Sequence, residues 1–171
     1  FITGDLTDQG HRKAYHDLRE IFRQLKMPYH PLIGNHDHRE IFTEVFPEVP
    51  LDENGFVQQM LATEQGRFLL LDTVEHGQHW GSYCEKRGEW LRKQLKDAGS
   101  KAVYLFMHHP PFNIGIPSLD FLSLKNDAKR IQEIVCDFSN IKHLFFGHVH
   151  RPVSGSWHGI PFTTLRGTNH Q

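Results

Sequence analysis

Two stretches of this 171-residue chain, AVYLFM at 102–107 and IKHLFF at 141–146, are apolar almost without a break. Continuous runs of that length suit strands covered on both faces, and such strands belong to sheets packed between helices. Helical patterns stand where the cover is needed. From His11 to Lys26, residues Ala14, Leu18, Ile21, Phe22 and Leu25 recur at helical spacing, and Pro28 stops the pattern. Arg39 to Phe46 predicts a brief second helix, Glu85 to Ala98 a third with Leu91 and Leu95 one turn apart. Asn126 to Phe138 predicts a fourth, with Ile131, Ile134, Val135 and Phe138 on its apolar face and Asn126 as N-cap. Phe56 to Ala62 and Arg67 to Thr73 read as a hairpin joined by TEQG, and GSW and IPFTTL as short closing strands. The order is mixed α/β in one domain, 1–171, with antiparallel pairs added to a partly parallel sheet.

Composition excludes several classes. With 19 basic and 20 acidic residues the formal charge is −1, which leaves no electrostatic footprint for a nucleic acid polymer or an anionic membrane. Two cysteines, Cys84 and Cys136, are too few for a disulfide framework, and no apolar run reaches membrane length. With no signal segment visible, the expected compartment is the cytoplasm. The unusual number is 14 His, because imidazole both ligates metals and titrates near neutrality.

Several of those histidines sit where strands end. FIT runs into Gly4-Asp5, HPLI into Gly34, Asn35, His36, Asp37 and His38, VYLFM into His108-His109, and HLFF into Gly147, His148, Val149 and His150. In open α/β sheets the carboxyl ends of strands deliver their polar residues to one rim, so four such ends favour one metal site. Neutral nitrogen, anionic oxygen and amide oxygen form a mixed donor set that suits Mn, Fe or Zn better than Ca or Mg. In an extended segment His148 and His150 share a face while Val149 packs behind. Gly4, Gly34 and Gly147, each taken singly, read as ordinary turn residues.

In that order, GDLTDQG, GNHDH, HHPP and GHVH resemble the motif series of the calcineurin-like metallophosphoesterases. LLLDTVEHG and HHPPFNIGIPSLDFLSLKN are similar to stretches of its bacterial branch of class III cyclic-nucleotide and glycerophosphodiester phosphodiesterases. The resemblance implies an αββα sandwich, two mixed β-sheets flanked by helices. It implies that Asp5 bridges two divalent ions, that Asn35, His108 and His148 complete one of them, and that His150 ligates the other. The family's second ion also takes an Asp and a His from an Asp-x-His motif on its first strand. No such motif precedes Gly4-Asp5, so the chain is expected to lack that strand and the family's C-terminal region, and to hold one ion or none.

By the same resemblance His36 is the catalytic residue, a general acid or phosphate-charge stabiliser. Asp37 then orients His36 or caps the following helix, and His109 neighbours the ligands in the pocket. The implied reaction is hydrolysis of a small phosphodiester, a cyclic nucleotide or glycerophosphodiester, by metal-activated hydroxide. The alternatives are a phosphomonoesterase or nucleotidase, or a non-catalytic scaffold with this fold. An unpaired strand edge would permit a homodimer. Asp8 is expected to stabilise a turn and Asp72 to bond backbone amides. Phe112, Phe121 and Phe162 are expected in the core; His11, His16, His30, His76, His79, His143, His158 and His170 are expected to be solvated or packed.

Overall fold

The computed structural model describes residues 1–125 and 127–168. The two apolar runs become neighbouring parallel strands, β5 (Val103–Met107) and β6 (Ile141–Phe146), in the middle of a six-stranded sheet. β4 (Gly66–Leu71) lies parallel on one side and β8 (Ile160–Thr164) on the other. Antiparallel β3 (Gln59–Thr63) and β7 (Val153–Trp157) close the edges, giving the order β3-β4-β5-β6-β8-β7. A second, smaller sheet pairs β1 (Ile2–Thr3) with β2 (Pro31–Leu32) in parallel.

Alternation along the strands sorts the layers. Leu69, Leu71, Val103, Leu105, Met107, Leu144 and Phe146 face α3 (Glu85–Ala98) and α5 (Ala128–Cys136). There they bury Trp90, Leu91, Leu95, Ile131, Ile134 and Val135 in the main core. On the opposite face Leu70 and Phe106 meet Leu32 of β2. The small sheet is backed in turn by α1 (Arg12–Phe22) and α2 (Arg39–Val45), through Ile2, Ile33, Tyr15, Phe22, Phe42 and Val45. The layers therefore run α1/α2, small sheet, large sheet, α3/α5, a metallophosphoesterase-like mixed α/β sandwich. A four-residue helix, α4 (Pro117–Asp120), lies between β5 and α5, and no helix is long and apolar enough to cross a membrane among the described residues.

Two elements differ from the sequence reading. The first helix ends at Phe22, and its buried positions are Tyr15 and Phe22; Ile21 is 57% exposed and Leu25 41%. The buried stripe is narrower than the apolar spacing suggests because α1 packs on the small sheet and α2 alone. At α5, Asp127 rather than Asn126 takes the N-cap position, and its carboxylate turns away to the Tyr83 N–H at 2.9 Å. Asn126 and His170 lie outside the described residues. Phe112 and Phe162 pack with Phe146 and Trp157 at the main core, whereas Phe121 is 58% exposed.

Candidate metal centre

β1, β2, β5 and β6 all end at the seam between the two sheets, so Asp5, Asn35, His108 and His148 come together there. His108 is the centre of the group. Its Nδ1 donates to the Thr3 carbonyl at 2.7 Å, which leaves Nε2 facing Asn35 Oδ1 at 3.1 Å and Asp5 Oδ2 at 3.3 Å. His148 Nδ1 lies 3.0 Å from the same Asn35 oxygen. Donor atoms about 3 Å apart are what ligands of one ion with bonds of about 2.0–2.2 Å require, and the backbone bond on the far ring nitrogen is the usual way a ligating imidazole is aimed. The donors present therefore fit a divalent ion.

The backbone pays for this convergence. Among the described residues four non-glycines have positive φ, and three of them are Asp5 at 53°, His148 at 62° and His150 at 54°. Such conformations cost of order 1–3 kcal/mol each and persist only where the surroundings impose them. The glycines beside them are more than turn residues. A Cβ on Gly34 would stand 2.3 Å from Asp5 Oδ1, and one on Gly4 or Gly147 within 2.6 or 2.8 Å of His108 Nδ1. Three chain segments close on one imidazole, which only glycine allows.

Electrostatics follow from that crowding. Burial disfavours charge on both His108 and Asp5, but each partner overrides it: the Asp5 carboxylate raises the His108 pKa, and His108 holds the Asp5 carboxyl well below the usual range. Burial, then the charge of His108, pushes His148 down to about 3. His109, wholly buried, is pushed well below the ordinary histidine value by desolvation and by His108 and His148. Its Nδ1 lies 2.8 Å from Thr73 Oγ1, and its ring stands 4.8 Å from those of both neighbours. The ligand atoms of His108, His109 and His148 lie within 4.8 Å of one another. His150 lines the same cavity of about 190 Å³ as Asp5, His108 and His148.

His36 sits on the other flank. Its backbone N–H donates to Asp5 Oδ1 at 3.1 Å, and its Nδ1 lies 2.7 Å from the Asp8 carbonyl. Asp37 is a brace between loops: its carboxylate accepts from Leu6, Thr7 and Gly34 N–H groups, the Thr7 hydroxyl and the Tyr15 hydroxyl, at 2.9–3.3 Å. It does not cap α2, whose N-cap residue is His38 without a side-chain bond. Burial pushes the Asp37 pKa up against the pull of its donors. Asp72 accepts from the Val57 and Val74 amides, as expected, and also from Arg39 Nε and Nη2 at 2.7 and 3.0 Å.

Sequence reasoning missed Thr3, Thr73, Tyr15 and the Arg39–Asp72 pair, and it left His76 and His79 without a place. These two line a second cavity with Asn35, His36 and His38, and His79 Nδ1 lies 3.5 Å from Asn35 Nδ2. Backbone acceptors carry no side-chain signal, and the two histidines belong to a loop with no motif; only their number in one segment hinted at them.

Comparison with known proteins agrees with this geometry. The chain is 40% identical to a probable cyclic nucleotide phosphodiesterase of Rhodopseudomonas palustris, over 99% of its own length and 63% of that protein's. It is 33% identical, with the same two coverages, to a probable glycerophosphodiester phosphodiesterase of Arcobacter nitrofigilis. The chain thus spans under two thirds of the length of these relatives. In structure it is similar to a dimetal phosphatase from Danio rerio, with a TM-score of 0.73 and 15% identity over 91% of this chain and 66% of that one, a likeness of fold. Residues 1–152 match the family model for calcineurin-like phosphoesterases, and the strand ends that build the donor cluster fall inside that match: the chain belongs to the calcineurin-like phosphoesterase family.

Proposed function

We propose that this chain carries the catalytic centre of a metal-dependent phosphodiester hydrolase acting on cyclic nucleotides or glycerophosphodiesters. The observation that carries the reading is the convergence of Asp5, Asn35, His108 and His148 on one point at 3.0–3.3 Å. The names of the two sequence relatives supply the substrate class.

In this reading those four residues hold one divalent ion, of Mn, Fe or Zn type given nitrogen and oxygen donors without thiolate. Asp5 and His150, which line one cavity, would serve a second ion, whose donor set the 171 residues do not complete because they contain no Asp-x-His. When bound, the ion supplies Lewis-acid polarisation of a phosphate oxygen and a water acidified toward neutral pH. The protein's own groups do the rest. Thr3 fixes the His108 tautomer through its carbonyl, so that Nε2 is the donor atom. Asp37 ties the loop after β1 to the loop after β2, which sets the spacing of Asp5 and Asn35. The Asp8 carbonyl accepts from His36 Nδ1–H, which leaves Nε2 facing outward; in the imidazolium form that nitrogen also carries a proton, which it would give to the leaving oxygen.

The test is hydrolysis of bis-p-nitrophenyl phosphate and p-nitrophenyl phosphate by the full-length protein with Mn. A higher rate on the diester is expected, followed by turnover of a cyclic nucleotide or a glycerophosphodiester. A strong monoester preference would favour the phosphomonoesterase, and inertness toward both with Mn, Fe or Zn would favour the scaffold.

A further inference from the structure

Apart from the strand-end cluster, donor atoms converge a second time at the start of α2. We propose that His38, Glu40 and His76 form a separate divalent-metal site, two imidazoles and one carboxylate, which ties the loop between β4 and α3 to the first turn of α2 beside the second cavity. None of the three is among the proposed catalytic ligands, so the inference goes beyond the phosphodiesterase reading and stands or falls apart from it.

The three ligand atoms lie within 4.8 Å of one another. His38 Nδ1 is shielded from solvent and makes no hydrogen bond, although a Glu40 carboxylate oxygen stands 3.0 Å away. At that distance and without hydrogen-bond alignment, both atoms are open to a shared cation. Ligands of a tetrahedral or octahedral ion with bonds of about 2.1 Å are separated by about 3.0–3.4 Å, the spacing of the His38–Glu40 pair, and His76 reaches it by a small movement of its exposed loop. The rings of His38 and His76 are direct neighbours, with centroids 5.2 Å apart at 86°. An imidazolium–carboxylate pair would account for His38 and Glu40 but not for a third donor. Two nitrogens and one carboxylate suit Zn, Fe(II), Ni or Mn better than Ca or Mg.

The position gives the site a consequence. The loop carrying His76 is anchored where Val74 N–H meets Asp72, and again where Ser82 and Tyr83 meet Asp127. Between those anchors His76, Gly77, Gln78 and His79 form one wall of a cavity of about 440 Å³ whose other wall includes Asn35 and His36. A cation shared by His38, Glu40 and His76 would hold the middle of the loop against α2 and fix the width of that cavity.

Zinc alone, titrated into the metal-free full-length protein by calorimetry and checked by elemental analysis, tests this. The wild type is expected to bind one equivalent more than the double variant Glu40→Gln, His76→Ala. Each single variant should weaken that equivalent by about 10- to 100-fold or more, since even groups behind a ligand matter on that scale. His108→Ala should keep it. Hydrogen exchange supplies an activity-free readout: zinc should protect the 74–81 amides in the wild type and not in His76→Ala. Wild-type zinc stoichiometry and wild-type protection in the double variant would overturn the proposal. If the double variant fails to fold, His76→Ala, at an exposed loop position, decides by the same two measurements.

Discussion

Two separate cavities flank the donor cluster, and their walls are built on opposite principles. One is made of strand ends: His108, His109 and His148 are buried, the flanking segments approach so closely that Gly4, Gly34 and Gly147 have no room for a side chain, and three residues take strained backbone. The other is made of loop: His36 and His38 are about 40% exposed at the side chain, and a Cβ on Gly77 would meet nothing within 4 Å. The contrast separates two jobs. The first wall holds its donor atoms in close, fixed contact, which is what the proposed phosphate chemistry would need. The second is free to differ in shape, which is where the proposed reading would place selection among substrates.

The sharpest way to break the comparison is to remove the centre of the first wall. His108→Ala takes away the imidazole on which Thr3, Asn35 and Asp5 converge. A metal ligand supplies several kcal/mol of transition-state stabilisation, so kcat/KM for bis-p-nitrophenyl phosphate should fall about 10³-fold or more, together with metal content. An equal change at the exposed His79 should cost far less in metal content. Comparable losses at the two positions would mean that the walls are not distinct.

The loop wall is not unsupported, however, and its buried anchor is the next largest effect. Asp72 is wholly buried and takes bonds from Arg39 at the start of α2, from the Val57 and Val74 amides, and lies 3.9 Å from Arg87. Asp72→Asn leaves the buried Arg87 and the half-buried Arg39 short of a charge, and breaking a buried pair this way costs about 3 kcal/mol or more. Urea denaturation measures it. A loss below about 1 kcal/mol would show that the arginines find other acceptors.

These two walls were unequally legible in the sequence. The strand ends announced themselves because apolar runs terminate in Asp, Asn and His, and a sheet necessarily brings such ends to one rim. Fold layers followed from the same runs. What aims the ligands was hidden: the Thr3 carbonyl is backbone, Tyr15 is not among the positions of the stripe read as Ala14, Leu18, Ile21, Phe22 and Leu25 although it shares the face of Phe22, and Arg39 meets Asp72 across 33 residues. Glycine next to a ligand reads as a turn until the distance to His108 is known. His38 lies on one loop and His76 and His79 on another; their approach depends on tertiary packing, and no local periodicity encodes that.

Glycine substitutions sharpen the contrast in packing. Gly34→Ala would place a Cβ 2.5 Å from the Asp5 nitrogen as well as against its carboxylate, a clash with backbone that costs about 1–3 kcal/mol and displaces a ligand. Gly77→Ala has open space and bears only the cost of φ +70°, about 1 kcal/mol. Melting temperature and zinc titration of the two variants should therefore diverge: lower stability with weakened metal binding for the first, slightly lower stability alone for the second. Equal metal binding in both would remove the argument that close approach at Gly34 positions Asp5.

The smallest effect concerns the other end of the loop wall. Asp127 accepts from the Ser82 hydroxyl, the Tyr83 N–H and Arg130. Burial alone would raise its pKa, but those donors outweigh it and hold the carboxyl below its ordinary value. A carboxylate depressed in the folded state binds fewer protons there than in the unfolded chain. Its contribution is therefore present above the unfolded value of about 3.9 and is lost as pH falls through the lower folded one. Asp127→Asn should cost about 1 kcal/mol at pH 7, the worth of bonds to a charged group reduced by partial exposure, and progressively less as pH falls below the unfolded value of about 3.9. Urea midpoints for the two proteins across pH 3–7 should converge at the acid end. A constant gap would assign the anchor to shape rather than charge, and the loop's two ends would then differ in burial but not in kind.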